Sequence, residues 1–523
     1  MPIHGRWRLN GEVNVHPDPE LVALLAHDLR TADYTSERIR AAWGESADDA
    51  YGRGIRVAAV RALADRADPL ATLARLFVLG VPQPVTAVAA ALPSIGLDGL
   101  RALGIVAVEA DQVRARSLLR PQSYVDESGM GEWLIASDLD EVALGGPLPD
   151  DHVLGVGGAS LTLAGLQLPL PAGRVLDLGT GCGIQALRAR RYADRATGTD
   201  ISPSALAYAR FNALLNGVGD IDLREGSLFE PVTGERFDRI VSNPPFVITP
   251  RRDDVPAFDY RDGGMQGDDL VAAVFAGVGE HLVDGGIAQF LGNWEYRWGS
   301  DGLDRVREWV QSSPVPLDAW VIEREQLDPV EYASLWIRDG GTVPGTAGHE
   351  ALLNAWLDDF AHRRVTRIGF GYVLLRRAIG EPTLRRFERV DTPIPAEGSL
   401  GSHLAAMLAA HDQLAELDDD ALAARALITA PDVSEVRHHL PGHEDPTVIE
   451  LRQGTGFGRA LSVDPAVAGL VGACDGELSV GSLVAAIAQL LEVDAAELRA
   501  DVMPRVRELV LTGFLRLPGG DAV

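Results

Sequence analysis

The sequence predicts an α/β protein in which a parallel sheet sits between a helical N-terminal domain and a small α+β C-terminal domain. Three observations predict it. From about Val153 short apolar runs alternate with helical segments, the pattern of a parallel sheet with crossover helices. Within that stretch, Val175–Ile184 is an apolar strand that enters a glycine turn and then a helix. On both flanks apolar residues recur at three- and four-residue steps, the helical period. A chain of 523 residues has room for about three or four domains. The expected divisions are 1–150, 151–395 with an insertion or lid at about 300–361, and 396–523.

Composition narrows the function classes. Hydrophobic residues make up 46% and charged residues 23%, ordinary for a globular protein with a sizeable core. Asp and Glu number 75 against 47 Lys and Arg, and the net charge of −28 repels phosphate and anionic lipid. Nucleic-acid binding is therefore unsupported by charge, and no membrane partner is expected. Cys182 and Cys474 are the two cysteines, too far apart in sequence for a metal-ligand spacing or a disulfide framework. The N-terminus lacks the apolar stretch of a secretory signal, which makes the cytoplasm the expected location. Leu76–Leu97 carries no charge, but Pro82, Pro84 and Pro93 interrupt it, so it reads as buried helix, turn and helix rather than a membrane span.

In the N-terminal domain, Ala71–Val81, Val85–Ala91 and Leu97–Leu103 read as three short helices. Gly104–Val108 and Val113–Leu119 follow as a two-stranded wing, an order that resembles a winged-helix domain. The helices carry little positive charge, so the order suits protein contacts as well as nucleic acid. In the central domain the expected strands are Arg174–Leu178, Ala196–Asp200, Ile221–Arg224, Phe237–Ser242 and Gly286–Leu291. Ile184–Tyr192, Ser204–Asn216 and Asp269–His281 are the helices between them. The tryptophan-containing stretch 300–361 reads as the insertion, and Gly369–Arg376 as a return strand at the sheet edge. The C-terminal region ends in two helices and a strand-like Gly513–Leu517, again resembling a winged helix.

The glycine turn identifies the ligand class. Glycines at 179, 181 and 183 allow close approach of backbone to a ligand. A dinucleotide fingerprint needs its third glycine at 184, where this chain has Ile184. The segment Asp177-Leu-Gly-Thr-Gly-Cys-Gly183 resembles the first motif of the class I S-adenosylmethionine-dependent methyltransferases, whose sheet is Rossmann-like. That resemblance implies S-adenosyl-L-methionine as cofactor, held by Asp177, Gly179, Thr180, Gly181 and Gly183. It also implies that Asp200, followed by Ile201, accepts the ribose hydroxyls. Glu225-Gly-Ser-Leu-Phe-Glu230 resembles the adenine-contacting segment, with Leu228 packing on the ring and Ser227 where an acidic residue is common. Gly155–Ser160 either covers the cofactor with backbone amides or is a domain joint.

Asn243-Pro-Pro-Phe246 closes the fourth strand at the carboxyl edge, where open α/β sheets bind ligands. Two prolines remove amide donors and leave carbonyls and the Asn243 side chain as acceptors, which suits a substrate amino group. The motif resembles that of aminomethyltransferases, among them release-factor glutamine and rRNA base methyltransferases of the "methyltransferase small" group. The resemblance implies catalytic roles for Asn243 and Pro244 as acceptors of a planar NH2, Asn243 also bordering the cofactor, and for Phe246 stacking on the planar group. Tyr260–Asp268 resembles the Gly-Gly segment that follows this motif, and either borders the substrate cleft or opens the next helix. Arginines 251 and 252 either contact an anion or are solvated. The arginines at 363, 364, 367, 376, 377, 385, 386 and 389 form an RNA path only if they share one face. His438, His439 and His443 lie in a stretch broken by Pro441 and Gly442, and no metal site is expected.

These observations predict a methyltransferase acting on a planar NH2 of a macromolecule, a nucleobase of RNA or DNA or a protein glutamine. A peptide or small-metabolite methyltransferase with terminal capture domains is the alternative, and a catalytically retired cofactor-binding scaffold is the other.

Overall fold

The computed structural model describes residues 15–126, 129–144, 148–149, 151–252, 255–256, 260–395 and 399–518. The chain divides into two compact units. One holds residues 1–164, 172–321 and 325–381, and the other holds 165–171, 322–324 and 382–523.

The first unit contains both the N-terminal helices and the central sheet. Helix Pro19–Thr31 starts where Asp18 accepts the amides of Glu20 and Leu21 and Pro19 presets the first turn. Its buried Asp28 accepts the amides of Ser94 and Ile95 at 2.9 and 3.0 Å, capping the start of helix Gly96–Ala102 from a distance. Pro69–Leu73 continues into a π-helical turn at Ala74–Val78, and Val85–Ala91 follows. The wing has three strands rather than two, because Gln83–Pro84 pairs with Gln112–Ala115, which also pairs with Val106–Glu109. A long hairpin follows, Ser117–Asp126 against Gly129–Asp138, with Ser117 opposite Asp138 and Asp126 opposite Gly129. Sequence reading ended this stretch near Leu119, because the polar half of the hairpin lacks the apolar runs that mark strands.

The central sheet strands are β1 (Ala172–Leu178), β2 (Ala193–Asp200), β3 (Asp222–Glu225), β4 (Phe237–Ser242), β5 (Leu282–Arg297), β6 (Leu317–Leu327) and β7 (Val365–Arg377). Their spatial order is β3-β2-β1-β4-β5-β7-β6. Strands β1 to β5 run parallel, and β7 is antiparallel to β5. The order reverses between β1 and β4, the position at which such sheets open a crevice beyond their carboxyl ends. Val175–Leu178 of β1 is buried throughout, as a central parallel strand covered on both faces must be. The covering helices include α1 (Ile184–Ala189), α2 (Pro203–Leu215), α3 (Asp269–Val278) and α4 (Gly302–Gln311). One continuous apolar core joins Val22, Leu25 and Phe77 of the N-terminal region to Leu187, Tyr208 and Phe211 of α1 and α2.

Two expectations change here. Stretch 300–361 is not one insertion: α4 and β6 belong to the sheet architecture, and only α5 (Pro329–Asp339) and α6 (Ala347–Arg363) are added between β6 and β7. Charges in Leu-Asp-Ala-Trp-Val-Ile-Glu-Arg-Glu-Gln-Leu hid β6 from an apolar-run criterion. Strand β7 lies inside the sheet between β5 and β6, not at its edge.

The second unit, taken alone, packs helices Pro465–Ala473, Val480–Leu491 and Ala495–Leu511 over a core that includes Leu470, Val484, Val506 and Phe514. Ile428–Thr429 pairs with Leu515–Arg516, and a three-stranded sheet is formed by Val433–His438, Val448–Gln453 and Ala460–Val463. His438 and His439 are exposed, and the described residues contain no metal-ligand group. Among the described residues no helix is long and apolar enough to cross a membrane.

Candidate active site

The glycine turn is held open from below. Asp177 is 1% exposed, and its Oδ2 accepts the Thr180 hydroxyl at 2.7 Å and the Ala186 amide at 2.9 Å, tying the turn to the first residues of α1. Its Oδ1 has no hydrogen-bond partner among the described residues. Burial pushes the Asp177 carboxyl up to about 7. Asp177 is therefore not among the residues lining the cleft, and it shapes the turn from beneath. Gly183 is likewise absent from the lining: its φ is +88°, and a Cβ there would lie 3.1 Å from the Ala209 backbone, so it lets α1 pack on α2. Gly179 and Gly181 do line the cleft, and a Cβ on either would project into open space.

The amides of Gly179 and Thr180 both donate to the Thr199 carbonyl at 2.9 Å, which draws the turn against the end of β2. Asp200 Oδ2 accepts the Gly181 amide and Oδ1 the Ser202 amide, each at 2.9 Å. These bonds fix the carboxylate at the rim of the cleft, beside Thr180 and the exposed Ile201. Ser227 and Leu228 line the same wall, and Leu228 takes a left-handed φ of +47°, a strained setting for a branched side chain.

On the other side of the switch point, Ser242 donates its hydroxyl to the Leu178 carbonyl at 2.7 Å, locking the tips of β1 and β4 together. Asn243 and Pro244 line the cleft. Asn243 Oδ1 is buried with no partner among the described residues, an acceptor held ready for a donor. Phe246 is not among the lining residues: its ring packs 5.5 Å from Phe370 and 6.4 Å from Trp336, centroid to centroid. Stacking of Phe246 on an acceptor group therefore has no support in this geometry. Past the motif, the Ile248 amide and Asn293 Nδ2 both donate to the Tyr332 hydroxyl, at 3.0 and 2.6 Å. Tyr332 belongs to α5, so the added helices brace the loop that follows Asn243; burial raises the Tyr332 phenol above its ordinary value.

The cleft encloses about 280 Å³ and takes further wall from His152, Leu154, Gly155, Ser160, Gln185, Tyr260, Asp262, Gly263 and Gly264. Gly155 and Ser160 line the cleft, as do Tyr260, Asp262, Gly263 and Gly264. His152 carried no motif in the sequence. It is buried, its ring lies edge-on 5.8 Å from Tyr260, and burial lowers its imidazole below the ordinary value. Open space beside Gly179 and Gly181, the rim carboxylate of Asp200 and the apolar Ile201 and Leu228 fit a nucleoside-bearing group.

Six of the arginines are committed to carboxylates rather than open to an anion. Arg251 pairs with Asp262, Arg363 with Glu295 and Asp359, Arg376 with Asp318, Arg377 with Asp284, Arg386 with Glu388 and Glu508, and Arg389 with Glu323. The charge of these six is balanced within the protein, while Arg364 and Arg385 are exposed and Arg367 donates to Gln326 Oε1 at 3.1 Å.

Comparison with known proteins matches three segments of the chain. The methyltransferase small domain model matches residues 157–255, and models of two domains of unknown function, DUF7059 and DUF7782, match 31–116 and 405–517. The ribosomal protein uL3 glutamine methyltransferase of Bradyrhizobium diazoefficiens is 35% identical over 158 residues, 28% of this chain and 48% of that protein. The release factor glutamine methyltransferase of Geobacter sulfurreducens is 38% identical over 124 residues, 22% of this chain and 43% of that protein. The chain thus spans about half the length of the curated relatives it matches. The solved YcgJ protein of Bacillus subtilis aligns with 42% of this chain and 98% of its own at 15% identity, with a TM-score of 0.28. The segment matched by the methyltransferase small domain model contains the glycine turn, Asp200 and Asn243–Phe246, so this part of the central domain is similar to the class I S-adenosylmethionine-dependent methyltransferases of the small methyltransferase group.

Proposed function

We propose that the protein is an S-adenosylmethionine-dependent N-methyltransferase that methylates a planar NH2 of a macromolecule, a glutamine side-chain amide of a polypeptide. The observation that carries the reading is the buried, unpartnered Oδ1 of Asn243 at the tip of β4, in the same cleft as the glycine turn. Both curated relatives named above are glutamine methyltransferases of translation proteins. The net charge of −28 and the internally paired arginines favour a polypeptide over a nucleic acid.

When bound, the cofactor supplies a methyl group on a positively charged sulfur, already activated for transfer. The chain's own residues bind and orient. Asp200 offers carboxylate lone pairs to vicinal hydroxyls, and Ile201 and Leu228 offer apolar surface to a flat ring. Asn243 Oδ1 and the Pro244 carbonyl accept the amide N–H groups, which turns the nitrogen lone pair out of conjugation and toward the methyl carbon. No general base is needed before attack, since the nitrogen loses its proton afterwards. Alignment of this kind supplies up to roughly 7–11 kcal/mol in well-oriented systems.

The test is transfer of tritiated methyl from the cofactor into a fractionated lysate, followed by acid hydrolysis of labelled protein. Label in protein, released on hydrolysis of the side-chain amide as tritiated methylamine, is the expected result. Label confined to RNA, DNA or small molecules, or absent from all fractions, overturns the reading.

A further inference from the structure

The acceptor end of the cleft holds a second unpartnered acceptor besides Asn243. The Asp262 side chain is 2% exposed yet lines the cleft. Its Oδ1 is occupied, accepting the Arg251 guanidinium and the Gly264 amide, the latter at 3.1 Å. Its Oδ2 is buried with no partner among the described residues. The backbone sets this carboxylate beside the reaction loop: Phe246 and Asp262 form an antiparallel bridge, and the Val247 amide donates to the Arg261 carbonyl at 2.9 Å. Arg251 in turn donates from Nε to the Met265 carbonyl at 2.8 Å, which fixes the arginine and through it the carboxylate.

A buried oxygen left without a donor costs about 1–3 kcal/mol, and more for a charged group, so such an atom on a cleft wall is a recognition element awaiting its partner. The charge of Asp262 is already balanced by Arg251. The remaining lone pairs therefore ask for a neutral N–H donor rather than a second cation. A glutamine side chain presents its NH2 to Asn243 and has no further donor of its own, whereas the polypeptide carrying it has main-chain amides.

We propose that Asp262 Oδ2 accepts a main-chain N–H of the substrate polypeptide flanking the methylated glutamine, so that the site reads two donors on one segment. This rests on the reading of Asn243 as the acceptor for the reacting nitrogen. Asp262 binds and registers the substrate; Asn243 acts on the nitrogen itself.

The experiment compares wild type, Asp262→Asn and Asn243→Ala by initial rate of tritiated methyl transfer into the protein fraction of a lysate, over a series of fraction concentrations. Cofactor binding is measured in parallel by titration calorimetry. In Asp262→Asn one oxygen remains for Arg251 and Gly264, while an NH2 replaces the unpartnered oxygen. It is expected to bind cofactor within twofold of wild type, to lose about tenfold to a hundredfold in rate at low acceptor, and to recover part of that loss as acceptor rises. A wild-type rate for Asp262→Asn at low acceptor, alongside an inactive Asn243→Ala, overturns the role of Asp262 and leaves the reading of Asn243 standing. An equal fractional loss at every acceptor concentration, or lost cofactor binding, overturns it as well, because Asp262 would then be shaping the loop. A wild-type rate in Asn243→Ala, or no labelled protein from the wild-type enzyme, overturns the underlying reading and this inference with it.

Discussion

Asn212 donates from Nδ2 to the main-chain oxygens of Cys182 and Ala136, 2.8 and 2.9 Å away, and accepts the Ala136 amide at 2.7 Å. One fully buried side chain on α2 thus joins the glycine turn to the N-terminal hairpin. Asn216, one turn later, repeats the device on Leu134 at 2.8 Å in both directions. The hairpin completes its backbone hydrogen bonding on two asparagine amides in place of a further strand, and Asn212 ties it to the glycine turn through one side chain.

Asn212→Ala removes three hydrogen bonds and leaves buried main-chain groups on both partners unpaired. The expected cost is roughly 3–5 kcal/mol of stability, with cofactor affinity falling as the turn loosens. Chemical denaturation and cofactor titration check both. A stability loss under 1 kcal/mol with unchanged affinity would show that the hairpin and the turn are held independently.

Asn243→Ala is expected to lower turnover at least a hundredfold at saturating acceptor while leaving cofactor affinity within twofold. In the proposed reaction the side chain accepts from the reacting nitrogen, and such an interaction counts in the transition state more than in cofactor binding. Equal losses in cofactor binding and turnover would instead make Asn243 a cofactor residue.

Asp177 makes a prediction about pH. Its carboxyl is pushed up from an ordinary 3.8 to about 7 in the folded protein, so between those values the folded state holds a proton that the unfolded chain has lost. Its contribution to stability is full below about pH 4 and is lost as pH rises toward and through 7. Asp177→Asn cannot ionise. The melting temperature of Asp177→Asn minus that of wild type is therefore expected to rise between pH 5 and pH 8. A difference that stays constant over that range refutes the buried ionisation.

What the sequence made legible was local. The glycine spacing and the apolar run before it placed the turn, and the two prolines after Phe237–Ser242 placed Asn243 at a strand tip, because strand, turn and proline geometry are properties of a few adjacent residues. What depends on contacts far along the chain was not legible. Phe246 carries nothing in its own motif to show that Phe370 and Trp336 occupy its ring. Asp177 reads as a ligand residue until the Thr180 hydroxyl and Ala186 amide are seen to claim its carboxylate. The arginines from 363 to 389 look like a basic patch until the acids of Arg363, Arg376, Arg377, Arg386 and Arg389, up to 122 positions away, are found beside them. His152 has no motif at all and lines the cleft beside Val153, whose amide and carbonyl bond to Asp138 at the end of the hairpin.

Tyr332 tests whether the added helices serve the chemistry. Its hydroxyl takes donors from Ile248, five residues past Asn243, and from Asn293 on β5, inside a core that also holds Val247, Trp356 and Phe360. Tyr332→Phe keeps the ring and its packing but strands two buried N–H donors, an expected cost of about 2–4 kcal/mol. The loop that carries Asn243 then loses its outer anchor, while the glycine turn on the far side of the cleft is untouched. Turnover is expected to fall about tenfold with cofactor affinity unchanged, because misplacement of a positioning group is felt in the transition state. Thermal melts, calorimetric cofactor titration and initial rates on the same preparation separate the two effects. A destabilised variant with wild-type turnover at 25 °C would reduce α5 and α6 to a structural addition with no hold on the reaction loop.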